Sequence, residues 1–253
     1  MDQRRSTLQT LPDAIFSDSR LARIYDPLDG DRADLDLYVA LAEEFGARSV
    51  LDLGCGTGTL CCRLASLGIS AVGIDPAHAS LEVARMKPHA DAVTWILGDA
   101  SDAPALDVDL ATMTGNVAQV FLGDDELTEA LGHLRRSVRP GGIVAFEVRD
   151  PDRQAWASWT REHTWVRTHI AGSGHVISWV DVIDVSPPFV SFRWTFQFED
   201  TGEELTSDST LRFRSLDEIE TSVRTSGLVV TEVRDAPDRP GLEFVVICER
   251  RDR

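Results

Sequence analysis

The stretch VLDLGCGTG, residues 50–58, has the composition of a ligand-binding turn. An apolar run leads to Asp52, and glycines then stand at every second position: Gly54, Gly56 and Gly58. Glycine reaches backbone conformations closed to other residues and lets a ligand approach the main chain, although a tight turn alone also uses it. The dinucleotide pattern G-x-G-x-x-G is absent, because its third glycine would fall on Thr59 or Cys61. The loop predicts a small ligand held against backbone.

Two further acids follow neighbouring predicted strands. Asp75 ends the strand SAVGID, and Asp99 comes shortly after the strand AVTWIL. In an open α/β sheet, ligands bind beyond the carboxyl ends of the strands, where an acid can accept both hydroxyls of a ribose. An acid followed by a small residue, as Asp99 is by Ala100, can hold an adenine edge. The three strand ends therefore predict a ligand that contains a nucleoside.

Alternating helical and strand-like segments between about residues 35 and 150 predict βαβ units around a parallel sheet. From about 161 to 213 the pattern changes to strand-like segments divided by turns, which predicts an inserted antiparallel meander. In FVSFRWTFQF the aromatic residues from Phe192 onward share one face and Arg193 lies on the other. We predict a cofactor-binding domain made of residues 1–160 and 211–253, and an insert over 161–210 that binds substrate or acts as a lid.

Four segments, VLDLGCGTG, GIDPAHASLEVAR, WILGDA and RPGGIVAFEV, resemble the sequential motifs of class I S-adenosylmethionine-dependent methyltransferases, and the meander resembles the inserts of the small-molecule type. The resemblance covers roughly residues 20–150 and extends to the closing strands. It implies an α/β fold: a Rossmann-like seven-stranded methyltransferase sheet with helices on both faces, plus the inserted antiparallel β meander. It also implies S-adenosyl-L-methionine as cofactor.

The resemblance assigns roles to particular positions. The glycine loop would contact the methionine part of the cofactor, Asp75 the ribose and Asp99 the adenine amino group, with Asp52 facing the amino-acid end. Tyr25, in LARIYDPL, either lies against the donor or is a core tyrosine. The full set of expected cofactor-binding residues is Tyr25, Asp52, Gly54, Cys55, Gly56, Gly58, Asp75, Pro76, Asp99, Ala100, Thr114 and Asn116.

Catalysis by such a protein needs no compact signature, because the sulfonium already activates the methyl group and alignment lowers much of the barrier. A base is required only when the acceptor must lose a proton. The catalytic candidates are Asn116, Glu147, Arg149 and His169. The substrate-binding candidates are Gln119, Arg149, Trp156 and Arg193. Each has a structural alternative: a turn cap for Asn116, an ion pair for Arg149, and packing of the meander for the tryptophans.

Composition limits the partners. A formal charge of −17 and a pI near 4.7 exclude a strongly basic surface, so we expect no nucleic-acid partner. The chain has no apolar run of membrane-spanning length and begins without an apolar leader segment, so we expect no membrane association and a cytoplasmic location. Its four cysteines lack metal-ligand spacing and indicate reduced, buried thiols, with no metal. Exposed edges of the meander would permit a homodimer.

These patterns predict methyl transfer from S-adenosylmethionine to a nitrogen or oxygen atom of a small-molecule metabolite, by in-line displacement. Two alternatives stay open: a protein methyltransferase, and a non-catalytic regulatory module that binds the same cofactor. The substrate is not readable from the sequence, because specificity depends on loops and inserts rather than on the fold.

Overall fold

The computed structural model describes residues 12–30 and 32–251. Its strands are β1 Ser49–Leu53, β2 Ser70–Asp75, β3 Val93–Leu97, β4 Val108–Met113, β5 Val138–Arg149, β6 Val166–Ile170, β7 Gly174–Ser186, β8 Phe189–Phe198, β9 Glu203–Arg212, β10 Val229–Asp235 and β11 Glu243–Glu249. Its α-helices are α1 Ala14–Ser17, α2 Ser19–Asp29, α3 Asp36–Glu44, α4 Thr59–Ser66, α5 His78–Ala84, α6 Asp124–Ser137, α7 Arg161–Thr164 and α8 Leu216–Ser226.

The first sheet has seven strands in the order β10-β11-β5-β4-β1-β2-β3. Neighbours from β5 to β3 are parallel, and only β11 runs antiparallel to the strands beside it. β1 and β4 are buried along almost their whole length, as expected for central strands covered on both faces. This arrangement confirms the predicted Rossmann-like sheet and brings the ends of β1, β2, β4 and β5 to one edge.

Helices cover both faces of this sheet. On one face, Leu41 of α3 and Leu60 of α4 pack in a cluster with Leu110 and Ala145. On the other, leucines of α6 and apolar residues of α8 pack against β4 and β5. Register places Asp52, Thr112 and Ala145 side by side, so the polar strand ends continue the face that α3 and α4 cover. The site is therefore an extension of that core layer.

The second sheet is the antiparallel meander β6-β7-β8-β9. Its aromatic face is buried: Phe196 and Phe198 pack with Leu21 and Ile24 of α2. Farther along β8, Phe192 packs with tryptophans of the segment that follows β5. The predicted alternation of β8 is thus realised, and its apolar face holds α2 and the end of β5 in place.

The start of the region expected to be strand-like, about residues 161 to 213, instead forms a helical turn, α7, and the chain becomes a strand only at Val166. The hydroxyl of Thr164 donates to the carbonyl of Thr160 at 2.7 Å and accepts from the amide of Val180 at 3.0 Å. These bonds close the turn and hold it against β7, which overrides the local strand pattern. Within the described ranges, no helix combines the length and the apolar character needed to cross a bilayer.

Candidate active site

The three glycines of the loop between β1 and α4 all have positive φ, but their surroundings differ. A Cβ on Gly54 would collide with Val117, and one on Gly58 would collide with the ring of Trp95 and with Ala84. A Cβ on Gly56 would meet no protein atom within 4 Å. Two of the glycines are therefore required by packing, and Gly56 presents the open backbone surface that a cofactor can approach.

Asp75, at the end of β2, is tied to the same loop. One carboxylate oxygen accepts the amide of Gly56 and the other accepts the amide of Ala77, each at 2.8 Å. Burial raises the pKa of Asp75, and these two amides partly offset that effect. The carboxylate thus lies directly beside the open face of Gly56, and its remaining lone pairs fit the hydroxyls of a ribose.

Asp52 is buried at the end of β1, where it accepts the hydroxyl of Thr112 at 2.7 Å. Burial raises its pKa to about 7. The charge of Arg32 favours the ionised form of Asp52, and this arginine is itself fixed by Asp29 at 3.1 Å and Asp34 at 3.0 Å. Arg32 was not among the expected site residues. Its left-handed backbone, φ 54°, could not be read from the sequence.

A polar clamp joins α2 to the glycine loop. Asp26 accepts the hydroxyl of Thr57 and pairs with the ammonium of Lys87, both at 2.6 Å. Lys87 also donates to Thr59 at 2.6 Å. Tyr25, next in the chain, is partly buried with its ring centroid 5.6 Å from that of Phe16. Lys87, the only lysine in the sequence, was not among the expected site residues.

We expect Lys87→Met to lower the free energy of unfolding by about 1–2 kcal/mol, because a partly buried charge loses its partner. Faster amide exchange in residues 19–29 should accompany this loss, since the clamp holds α2. Urea unfolding and hydrogen exchange measure the two effects. The control is Arg167→Met, which breaks an exposed pair with Glu199 and should change stability by less than about 0.5 kcal/mol. Equal effects of both variants would contradict the role of the clamp.

A second group of polar side chains, the strand-end group, lies where β4 and β5 end and consists of Asn116, Glu147, Arg149 and Glu243. Glu147 is buried, and its carboxylate accepts the amide of Asn116 at 2.9 Å. Burial raises the pKa of Glu147 to about 8. Asn116 has φ 63°, and its side chain does not cap the 3-10 turn that follows. Its buried Oδ1 atom has no hydrogen-bond partner among the described residues.

Glu243 belongs to this group. It was not predicted as a site residue, because in the sequence it is only an acidic residue at the start of a strand. It is buried at the beginning of β11 beside Arg149. Arg239 donates to Glu243 at 2.9 Å, and the Arg149 Nε atom lies 3.4 Å from the same oxygen. The Arg149 guanidinium also lies over the ring of Trp159, 5.3 Å from its centroid. The ion-pair alternative for Arg149 is therefore realised, but with a buried partner.

Two of the predicted substrate residues connect elements of the fold. Gln119 is buried; it accepts the amide of Arg149 and donates to the carbonyl of Arg212, both at 3.3 Å. It thereby ties the end of β5 to β9. Trp156 packs edge-on against Phe213 at 4.5 Å between ring centroids, as its packing alternative requires.

Two other candidates lie away from the strand ends. Arg193 is exposed on the polar face of the second sheet, where it forms two 2.6 Å bonds with Asp208. His169 is exposed beside His175. The structure does not bring either residue together with the strand-end group, because their face points away from the packed aromatic face. Both therefore drop out of the candidate site.

The remaining expected positions lie along the same edge of the sheet. Asp99 accepts the amide and hydroxyl of Ser101 at 2.7 and 2.6 Å and so begins a short 3-10 turn. Ala100 in that turn is partly buried, Pro76 is exposed, and Thr114 and Cys55 are buried. All four cysteines are buried and free, as the sequence indicated.

The raised pKa values of two buried acids predict how stability depends on pH. Asp52 and Glu147 move from ordinary values of 3.8 and 4.5 to about 7 and about 8. The folded protein therefore holds protons that the unfolded chain has released, so these groups reduce stability as pH rises between about 4 and 8. We expect the cofactor-free protein to lose a few kcal/mol between pH 5 and 8.

Chemical denaturation across this pH range measures the slope. Asp52→Asn should flatten it, because an amide does not titrate. Asp109→Asn should leave it unchanged, because Arg139 lowers the pKa of Asp109 and the group is ionised in both states at these pH values. An identical slope in the wild type and in Asp52→Asn would show that Asp52 is ionised throughout.

Comparison with known proteins agrees with this geometry. Residues 50–142 match a family model described as a methyltransferase domain. This stretch therefore resembles a methyltransferase domain. It contains the glycine loop, both ribose and adenine candidates and the Asn116 turn, and it reaches into β5. The amino pentose methyltransferase CalS10 from Micromonospora echinaspora, whose structure contains bound S-adenosylmethionine, aligns with a TM-score of 0.65 at 16% identity, covering 87% of this chain and 92% of that one.

Among curated relatives, the cypemycin N-terminal methyltransferase of a Streptomyces species is 31% identical over 120 residues, covering 47% of this chain and 49% of that protein. The malonyl acyl-carrier protein O-methyltransferase of Yersinia pestis is 33% identical over 144 residues, covering 54% and 52%. The chain thus spans about half the length of the curated relatives it matches.

Similarity to solved structures extends over most of the chain. The sugar N-methyltransferase KedS8 from Streptoalloteichus sp ATCC 53650 aligns with a TM-score of 0.74 at 18% identity, covering 90% of this chain and 92% of that one. At this identity the match shows a shared fold. It extends into the second sheet, since the unaligned tenth of the chain is shorter than that sheet.

Proposed function

We propose that the protein transfers a methyl group from S-adenosylmethionine to a nitrogen or oxygen atom of a small-molecule metabolite. The observation that carries this proposal is the open face of Gly56 beside Asp75, at the edge where the parallel strands end. Packing requires Gly54 and Gly58, whereas Gly56 combines a positive φ with open space beside its backbone. A ligand that touches the backbone at the strand ends would use this open space.

The residues on this edge fit the cofactor in chemical type. Gly56 would contact its methionine part and Asp75 the ribose hydroxyls. Asp99, in its turn with Ala100, would hold the adenine. Arg32, beside Asp52, offers a positive charge to the carboxylate at the amino-acid end. When bound, the cofactor supplies a methyl group that its sulfonium has already activated.

The protein then has to position an acceptor and keep water out. The ends of β4 and β5 supply polar groups for the acceptor, and α2 is held over the loop by the Asp26 clamp. The aromatic face of the second sheet packs against α2. In this scheme, holding the acceptor in line with the breaking C–S bond supplies most of the rate acceleration.

The relatives' names support methyl transfer but differ in acceptor. They include the N-terminus of cypemycin, a carrier-bound malonyl group and a sugar nitrogen. The sugar enzyme is one of several solved structures whose fold matches about nine tenths of the chain. That favours a small-molecule acceptor over a protein. A homodimer stays a prediction that light scattering would check.

A screen of metabolites with methyl-labelled S-adenosylmethionine tests the proposal. We expect label to appear in a small-molecule product, together with S-adenosylhomocysteine. Gly56→Val serves as the control, because its side chain would fill the proposed cofactor surface. Label in a co-incubated protein fraction alone would support a protein methyltransferase. Donor binding without transfer to any acceptor would support the regulatory alternative.

A further inference from the structure

The strand-end group contains two buried carboxyls in different electrostatic situations. Glu243 is paired with Arg239 and Arg149, so its charge is neutralised within the protein. Glu147 has no cation within ion-pair distance among the described residues, and its partners are backbone amides of Asn116 and Gly115. A buried carboxyl without a cation is costly, and such groups concentrate at functional sites.

Asn116 adds a second acceptor at the same place. Its amide nitrogen atom in the backbone donates to Glu147, while its side-chain Oδ1 atom is buried without a partner. The side-chain Nδ2 atom lies 3.5 Å from Glu243, at the limit of a hydrogen bond. A buried carbonyl oxygen that lacks a donor costs about 1–3 kcal/mol. A ligand that supplies the donor removes this cost.

We propose that the methyl acceptor is an amine, held as its ammonium form between the carboxylate of Glu147 and the Oδ1 atom of Asn116. This inference rests on the proposed methyl transfer and specifies its substrate class. An ammonium group brings three donors and the positive charge that Glu147 lacks. A hydroxyl brings one donor and no charge, and a carboxylate acceptor would face two oxygen acceptors and be repelled.

The same placement supplies the proton step. The carboxylate of Glu147 takes one proton from the ammonium, which frees the nitrogen lone pair. The nitrogen forms a bond to the methyl carbon while the C–S bond breaks, and its electron pair goes to sulfur. The products are the methylated ammonium, S-adenosylhomocysteine and protonated Glu147, which releases its proton to solvent. No other reactant is needed.

Charged groups around Glu147 determine how its protonation responds to pH. Glu243 and Asp34 raise its pKa, and Arg149 lies close enough to interact with it. Since Glu147 must be ionised to accept a proton, turnover should fall as pH decreases through its raised pKa. An ordinary solvated glutamate is already ionised at neutral pH and would not show this dependence. Burial is what moves the titration of Glu147 into this range.

The test uses paired acceptors and two glutamine variants. Amino sugars, amino acids and short aliphatic amines are each assayed beside the matching hydroxyl compound, with labelled S-adenosylmethionine. Glu147→Gln keeps an oxygen that accepts from Asn116 but cannot take a proton. The control is Glu249→Gln, which alters an exposed pair with Arg251 at the far end of β11.

We expect transfer to amines over their hydroxyl partners. Glu147→Gln should lower kcat/KM for the best amine about 100-fold or more, with S-adenosylhomocysteine affinity within about twofold of wild type. The acidic limb of the pH profile should also disappear. Glu249→Gln should match the wild type.

Preference for hydroxyl compounds, or full amine turnover by Glu147→Gln, would overturn the amine assignment while leaving methyl transfer intact. Absence of transfer in both panels would overturn the proposed function and the amine assignment together.

Discussion

Asp75→Ala is expected to weaken binding of S-adenosylhomocysteine by roughly 30- to 1,000-fold, which corresponds to about 2–4 kcal/mol. The carboxylate is placed to accept the two ribose hydroxyls, and such charge-assisted bonds are stronger than neutral ones. The variant also removes the acceptor for the amides of Gly56 and Ala77. We therefore expect a modest loss of stability as well, through a looser glycine loop.

Calorimetric titration of both proteins measures the effect on binding. The matched control is Asp235→Ala, because Asp235 also ends a strand and accepts a backbone amide, that of Gly241 at 2.7 Å. It lies on β10, at the opposite margin of the sheet, and its loss should leave the dissociation constant unchanged. If folded Asp75→Ala protein binds as tightly as the wild type, the ribose site is elsewhere.

Gly58→Ala is expected to destabilise the fold by about 2–4 kcal/mol. The new methyl group would overlap the ring of Trp95 and the side chain of Ala84, while φ 75° adds strain for any residue with a Cβ. The ring cannot move freely, because its Nε1 atom donates to the carbonyl of Ala90 at 3.1 Å. Urea unfolding gives the free-energy difference.

Substitutions at two other glycines distinguish the cost of backbone strain from the cost of steric overlap. Gly46→Ala has a similar positive φ, 60°, with open space around the new methyl, so it should cost only about 1 kcal/mol. Gly56→Ala should show a similar small loss of stability, but a clear loss of cofactor affinity. Equal destabilisation by all three substitutions would mean that the collision with Trp95 is relieved by movement.

The strand ends were predictable because hydrophobic periodicity fixes the order of strands and helices, and a parallel sheet brings their carboxyl ends together. Asp52, Asp75 and the glycine loop follow from that alone. The difference between Gly56 and its neighbours was not predictable, because it depends on Val117 and Trp95, which are distant in sequence and close only in the fold.

Contacts between segments that are distant in the sequence explain why other features of the site could not be predicted. The Asp26 clamp joins residues 31 and 61 positions apart in the chain, and neither spacing produces a local pattern. Glu243 becomes a site residue only because β11 inserts antiparallel beside β5. For Arg193, alternation identified its face correctly, but on that face the side chain pairs across strands with Asp208 instead of reaching the candidate site.

Titration of the wild-type protein with S-adenosylmethionine and, separately, with NAD⁺ tests the cofactor assignment most directly. The open backbone at Gly56 beside Asp75, and the absence of the third glycine of the dinucleotide pattern, predict binding of S-adenosylmethionine. We expect a dissociation constant in the low micromolar range, roughly −8 kcal/mol, and no heat of binding with NAD⁺. Binding of NAD⁺ without binding of S-adenosylmethionine would contradict the cofactor, the methyl transfer and the amine acceptor together.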